Sequence, residues 1–319
     1  MVISTEFLAK QYGHVQAVAD LSMRVGPGEV FGFLGPNGAG KTTAVKMLLG
    51  LTRPTGGHGT VLGAPIGDRE ARRKIGYLPE LFRYQTWLTA REVLELHARL
   101  IGGAGAISRS DIDQGLDEVG LGARTDDAVG TFSKGMQQRL GLAVALLGNP
   151  RLVVLDEPTS ALDPSGRADV RALIGAVRDR GATVFLNSHL LSEVERVCDR
   201  MAIIDGGRVL ASGALDELLG ADALRLRATS LGAEARSELA RFGRVTEAAD
   251  GWLSIAGVPP DRQPDVVAFV VRRGGRVHAV DGGRRSLEDR YLELIRANQA
   301  DESAAASDAR GSTPAGEAP

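Results

Sequence analysis

The run Gly35-Pro36-Asn37-Gly38-Ala39-Gly40-Lys41-Thr42-Thr43 fits the pattern G-x-x-x-x-G-K-[ST]. Its glycines let backbone N–H groups turn inward around phosphate oxygens, and a helix N-terminus adds partial positive charge. Val30-Phe31-Gly32-Phe33-Leu34 before the run reads as a short buried strand. Lys41 to Leu49 after it reads as a helix with Ala44, Val45, Leu48 and Leu49 inward. In that setting Lys41 reaches the β- and γ-phosphates of a nucleoside triphosphate, and the Thr42 hydroxyl holds Mg²⁺. A dinucleotide fingerprint fits worse, because its glycine spacing differs and it leaves Gly-Lys-Thr unexplained.

Further along, Leu152-Val153-Val154-Leu155-Asp156-Glu157 is an apolar strand ending in two carboxylates. Asp156 at the strand tip is placed to hold Mg²⁺ through water, and Glu157 to polarise the water that attacks the γ-phosphate. Before it lies Thr131-Phe132-Ser133-Lys134-Gly135-Met136-Gln137-Gln138-Arg139. Ser133 as N-cap, followed by Gly135, presents a hydroxyl and free N–H groups at a helix start, a second anion site in one chain.

With these elements in this order, the chain resembles the ABC-transporter ATPase family over roughly residues 2 to 215. The resemblance implies an α/β fold: a P-loop NTPase domain with a parallel-sheet core, an antiparallel β part and a helical subdomain. It also implies roles. Tyr12 resembles the aromatic that stacks on adenine. Gly35, Pro36, Asn37, Gly38, Ala39, Gly40, Lys41, Thr42 and Thr43 bind the phosphates. Ser133, Lys134, Gly135 and Gln137 act on the nucleotide of a second copy. Ser160 and Asp163 lie on a loop crossing the interface between copies. Thr42, Asp156 and Glu80 serve Mg²⁺, and His189 contacts the γ-phosphate beside the base Glu157. Glu80 stands where most of the family has glutamine, and Lys134 where the commonest signature has glycine. Both substitutions resemble those in ATPases serving ABC-2-type exporters. The implied cofactors are ATP and Mg²⁺, and the implied partners are a second ATPase chain and a separate membrane permease. The implied location is the cytoplasmic face of the membrane.

Composition narrows the classes. The chain has 319 residues, 43% of them hydrophobic, and a formal charge of −2. That charge argues against a strong nonspecific nucleic-acid binder, and no nucleic-acid partner is expected. No apolar run approaches the roughly 18 residues that cross a bilayer. Met1-Val2-Ile3-Ser4-Thr5-Glu6 lacks a basic region followed by an apolar stretch, so no secretory signal is visible. Cys198 stands alone, which excludes an internal disulfide and fits a reducing compartment. Of 38 basic residues only Lys10, Lys41, Lys46, Lys74 and Lys134 are lysines, which makes the one in the glycine-rich run more telling.

The organisation expected is a cassette over residues 1–219, a second unit over 221–297 and a disordered tail over 298–319. Within the cassette, the stretch from Lys74 to Pro150 turns helical, with a capping box from Thr89 to Glu92. The second unit reads strand (224–227), helix (233–242), hairpin (244–255, turning at Asp250-Gly251), helix (265–273), strand (276–280). That is the order of a small α+β ferredoxin-like domain, closed by a helix over 286–296. Its 13 arginines against 11 acids, with few aromatics between them, read as a solvated face. Tyr84 and Trp87 are candidate exposed anchors for the permease. A ribosome- or DNA-remodelling ATPase is the competing class; it would carry paired cassettes or long coiled-coil insertions, and neither is visible.

Overall fold

The computed structural model describes residues 1–102, 107–219, 223–247, 251–282 and 286–298. It divides into two compact units, Met1–Gly213 and Ala214–Pro319.

In the first unit, β1 (Ile3–Tyr12) and β2 (Val15–Val25) form an antiparallel hairpin. The buried strand β3 (Val30–Leu34) leads through the glycine-rich loop to α1 (Lys41–Leu48), which turns Ala44, Val45, Met47 and Leu48 inward. There follow β4 (Gly56–Val61), β5 (Ala64–Pro65), the single turn α2 (Arg69–Arg72) and β6 (Ile75–Leu78). Three helices come next: α3 (Ala90–Gly102), α4 (Arg109–Glu118) and α5 (Lys134–Leu146). Thr89 and Glu92 cap α3 reciprocally, backbone N to carboxylate at 2.8 Å and backbone N to hydroxyl at 3.2 Å. Arg91, almost enclosed, joins Asp113 of α4 and Asp126 beyond it, and so fastens α3 to the rest of the helical layer. The chain re-enters the sheet as β7 (Leu152–Asp156), then α6 (Pro164–Asp179), β8 (Thr183–Asn187), α7 (Leu191–Val197), β9 (Arg200–Asp205) and β10 (Arg208–Ala214).

The sheet order is β5-β4-β1-β2-β10-β9-β3-β8-β7-β6. The β1, β2, β4 and β5 end is antiparallel, whereas β3, β6, β7, β8 and β9 pair in parallel. Burial explains the split. β3, β7 and β8 are apolar on both faces, as parallel strands covered by helices must be. β1 and β2 mix buried and exposed positions, with one solvated face. Phe31, Phe33 and Phe185 stack at the centre of the core. Helix α5 lies hard against β6: a Cβ on Gly76 would fall 1.7 Å from the Ala145 carbonyl oxygen, so that approach admits only glycine.

The second unit begins with α8 (Leu215–Leu219). It continues with β11 (Ala223–Thr229), α9 (Ala233–Glu238), β12 (Arg244–Glu247), β13 (Trp252–Ala256), α10 (Gln263–Arg272), β14 (Arg276–Asp281) and a helix over residues 287–298. Its sheet runs β12-β13-β11-β14 with every recorded pair antiparallel, the ferredoxin-like order. Leu224, Leu226, Leu253 and Ile255 alternate inward to meet Val266, Phe269 and Val270 of α10. The expected hairpin turn includes Asp250, outside the described residues, as is the tail after residue 298.

Candidate functional site

Parallel pairing sets the site. Phe33 of β3 and Asp156 of β7 both lie opposite Asn187 of β8, and Leu78 of β6 lies opposite Leu155. The C-terminal ends of four strands therefore share one edge, where α/β sheets take their ligands. From that edge emerge the Gly35–Thr43 loop, Glu80, Glu157 and His189.

The loop is closely built. Gly40 sits at φ 98°, and a Cβ there would lie 2.3 Å from the Ala17 carbonyl oxygen of β2. The Ala39 N–H bonds the Pro36 carbonyl at 3.2 Å, and Lys41 Nζ donates to the Gly35 and Pro36 carbonyls at 2.6 and 3.0 Å. Helix α1 begins without a side-chain cap, leaving its first-turn N–H groups for an anion. Thr42 is exposed and Thr43 half-buried. Tyr12, at the tip of the β1–β2 hairpin, is 47% exposed, with Lys10 Nζ 4.8 Å from its ring centre. An exposed ring face is what base stacking needs.

Asp156 is buried, and Asn187 Nδ2 donates to its Oδ1 at 2.5 Å. Burial pushes its acid above the usual carboxylate range, the Asn187 bond pulls it down, Glu80 and Glu157 push it up, and Lys41 pulls it down. For Lys41, burial lowers the ammonium against the opposing pull of Glu157, Asp156 and Glu80. These four charged groups lie within electrostatic reach of one another, although Glu80 itself is exposed. Tyr77, on β6, is pushed up to about 12 by burial and then by Asp156 and Glu80.

Glu157 is held from several sides. Its backbone is left-handed at φ 54°, which costs a non-glycine residue about 1–2 kcal/mol. Its N–H donates to the Asn187 carbonyl at 2.9 Å, and its own carbonyl accepts from Ser160 Oγ at 3.1 Å. Its Oε1 accepts the His189 backbone N–H at 2.9 Å. His189 Nδ1 lies 2.8 Å from Oε2 but off the hydrogen-bonding line, so Oε2 is buried without an aligned donor. A carboxylate carried on a strained backbone and set beside an exposed imidazole has the chemistry of a general base.

Ser133 caps α5, accepting the Met136 N–H at 3.2 Å. Ser133 and Lys134 are exposed, and Gly135 rests against Leu162. Gln137 Nε2 bonds the Phe132 carbonyl at 3.3 Å. Asp163 caps α6 through the Gly166 N–H at 2.8 Å, and Ser160 is exposed. Among the described residues, no hydrogen bond or ion pair joins Ser133, Lys134 or Gly135 to the Gly35–Thr43 loop. The structure thus gathers Lys41, Glu80, Asp156, Glu157 and His189, while Ser133 and its neighbours address solvent from another helix.

Two residues that the sequence did not single out complete the frame. Asn187 fixes Asp156, and Gln138 Nε2 donates to the Pro158 carbonyl at 3.0 Å and to that of Glu157 at 3.4 Å. The one signal for Asn187 was an amide ending an apolar strand; for Gln138 it was a polar residue on the buried face of an apolar helix. The paired anchors separate: Trp87 is 76% exposed, whereas Tyr84 packs on Phe82 and edge-on to His97 and is no exposed anchor. Leu81 is 87% exposed.

The ABC transporter family matches over residues 18–160. An uncharacterized ABC transporter ATP-binding protein of Nostoc sp. is 40% identical over 284 residues, spanning 88% of this chain and 84% of the relative. This chain belongs to the ABC transporter ATP-binding proteins. Its cassette is an ABC ATPase domain. The Nod factor export ATP-binding protein I of Burkholderia thailandensis is 40% identical over 251 residues, 77% of this chain and 82% of that one. Among solved structures, the ATP-binding cassette MJ0796, in a dimeric post-hydrolysis state bound to ADP and Pi, aligns with a TM-score of 0.61 and 26% identity. It covers 67% of this chain and 99% of that one. The matched region includes Gly35–Thr43, Asp156 and Glu157, and the strand registers bring Phe33, Asp156 and Asn187 to one level of the sheet.

Proposed function

We propose that this protein is the ATP-hydrolysing subunit of an exporter and works as a pair of copies on a separate membrane permease. The observation that carries the reading is the separation of two anion-ready helix starts. One, at Lys41, stands beside the carboxylates; the other, at Ser133, faces solvent. A triphosphate held by the first has charge to offer to the second of another copy. Loss of the γ-phosphate weakens that bridge and lets the pair part.

In this reading the Gly35–Gly40 backbone and Lys41 cradle the phosphates, and Tyr12 stacks on the base. Ser133, Lys134, Gly135 and Gln137 meet the partner copy's nucleotide, and Ser160 and Asp163 lie on the loop between copies. Glu157 accepts the proton of the attacking water. The water oxygen bonds to the γ-phosphorus as the β–γ bridging P–O bond breaks, and ADP and phosphate leave. His189 orients Glu157 and lies near the γ-phosphate.

Among the described residues no group of three or more His, Cys, Asp or Glu is gathered to hold a metal by itself. Asp156, Glu80 and Thr42 supply oxygen ligands only, which suits Mg²⁺ shared with nucleotide phosphates. Asn187 Oδ1, buried and without a hydrogen-bond partner among the described residues, belongs to the residue paired with Asp156, which fits a water around such an ion. When bound, Mg²⁺ neutralises charge on the phosphates.

No helix among the described residues is long and apolar enough to cross a membrane. Leu81, Trp87 and, on α3, Leu96 and Leu100 are exposed apolar side chains, which supports docking of a permease segment and, with it, a peripheral position at the cytoplasmic face of the membrane. The Nod factor relative's name supports export. Two measurements test the reading. Wild type hydrolyses ATP with Mg²⁺, while Glu157→Gln binds ATP and turns over at least about 100-fold more slowly. Tagged chain expressed with its chromosomal neighbours copurifies with a polytopic membrane protein. Unchanged turnover in the variant would remove Glu157 as the base, and capture of ribosomes instead would remove the exporter.

A further inference from the structure

Asn187 is 2% exposed at the last position of β8, directly opposite Asp156 in the parallel register. Its amide is used asymmetrically. Nδ2 donates to Asp156 Oδ1 at 2.5 Å, while Oδ1 is buried without a partner among the described residues. With Asp156 ionised, the reverse orientation would set two oxygens against each other, so the amide turns its N–H to the carboxylate. A buried acceptor left without a donor is destabilising, a cost that a merely structural position would avoid by carrying an apolar residue. An apolar residue there would also strip Asp156 of the hydrogen bond that Asn187 donates, with Glu80 and Glu157 close by. The side chain thus serves the site more than the core.

Building on the nucleotide-binding reading above, we infer that Asn187 is the positioning residue of the divalent-cation site. Its N–H holds the Asp156 carboxylate in one orientation toward the ion. Its free oxygen accepts from a water of the ion's hydration shell, since Mg²⁺ retains several waters when it binds through one or two carboxylates. Asn187 touches neither nucleotide nor the reacting atoms; it acts through Asp156. Loss of such an outer partner weakens metal affinity by roughly 10- to 100-fold.

The test measures coupling between metal and nucleotide, which needs no turnover. Affinity for a non-hydrolysable ATP analogue is determined by calorimetry with saturating Mn²⁺ and again in EDTA, for wild type, Asn187→Leu and Asn187→Ser. The inference expects Asn187→Leu to keep its EDTA affinity within about twofold while the strengthening by Mn²⁺ falls roughly 10- to 100-fold. Asn187→Ser, which keeps a shorter donor, should fall in between and is the variant to read if the leucine protein does not fold. Wild-type strengthening in both variants overturns the inference, as does equal weakening with and without Mn²⁺, which would make Asn187 a core residue only. Absence of analogue binding in wild type would instead overturn the nucleotide reading, and this inference with it.

Discussion

Gln138 Nε2 donates to the Pro158 carbonyl oxygen at 3.0 Å, tying the helix that opens at Ser133 to the turn that follows Glu157. The amide is buried, and it reaches the Glu157 carbonyl as well, at 3.4 Å. Anything that tilts α5 therefore pulls on the backbone of the strained carboxylate, and the converse holds.

Gln138→Leu keeps the volume and removes the donor. With the Pro158 carbonyl left buried and unpaired, the cassette should lose about 1–3 kcal/mol in urea unfolding. ATP turnover should fall by more than the stability loss explains, because Glu157 is no longer fixed. A variant with reduced stability and full turnover would show that the tie is structural only.

Two glycines should respond in opposite ways. Gly40→Ala places a Cβ 2.3 Å from backbone at φ 98°, so it should cost several kcal/mol or prevent folding, and abolish nucleotide binding. For Gly135→Ala the tightest contact is a Leu162 methyl at 3.3 Å, which can yield, with the Ala161 carbonyl oxygen and Ser133 Oγ at an ordinary 3.9 Å, so its melting temperature should stay within a few degrees. If Gly135 meets the partner copy's nucleotide, its turnover should nevertheless drop at least about tenfold. Thermal melts and ATPase assays on both proteins check this.

Tyr77 gives the pH prediction. Folded, its phenol is pushed up to about 12; unfolded, it ionises near 10.0. Between those values the folded chain holds the proton that the unfolded chain has released, so stability falls as pH rises through the window. Tyr77→Phe should flatten that part of the curve, read as the difference between variant and wild type in urea midpoints from neutral pH to about 12. Equal slopes in the two proteins would contradict the assignment.

Much of this was legible in the sequence because it is encoded locally. The phosphate loop needs its glycines and lysine in consecutive positions, and apolar runs such as Leu152–Leu155 and Thr183–Leu186 can only be covered strands. What was not legible depends on register between distant segments. Asn187 becomes the partner of Asp156 only once β7 and β8 pair, and Gln138 finds Pro158 only once α5 has packed on β6. Tyr84 and Trp87 are both aromatics in one connection; His97 on α3 and Phe82 decide which of them is covered. The left-handed backbone at Glu157 carries no local signal, since it is imposed by bonds from Asn187, His189 and Ser160.

The claim that a triphosphate joins two copies is tested most directly by sedimentation velocity of the Glu157→Gln protein, with and without ATP and Mg²⁺. The account predicts a monomer without nucleotide and a dimer with it, and a return to monomer when Ser133→Arg is added. A protein that stays monomeric while saturated with ATP, or a dimer indifferent to both nucleotide and Ser133, would contradict it.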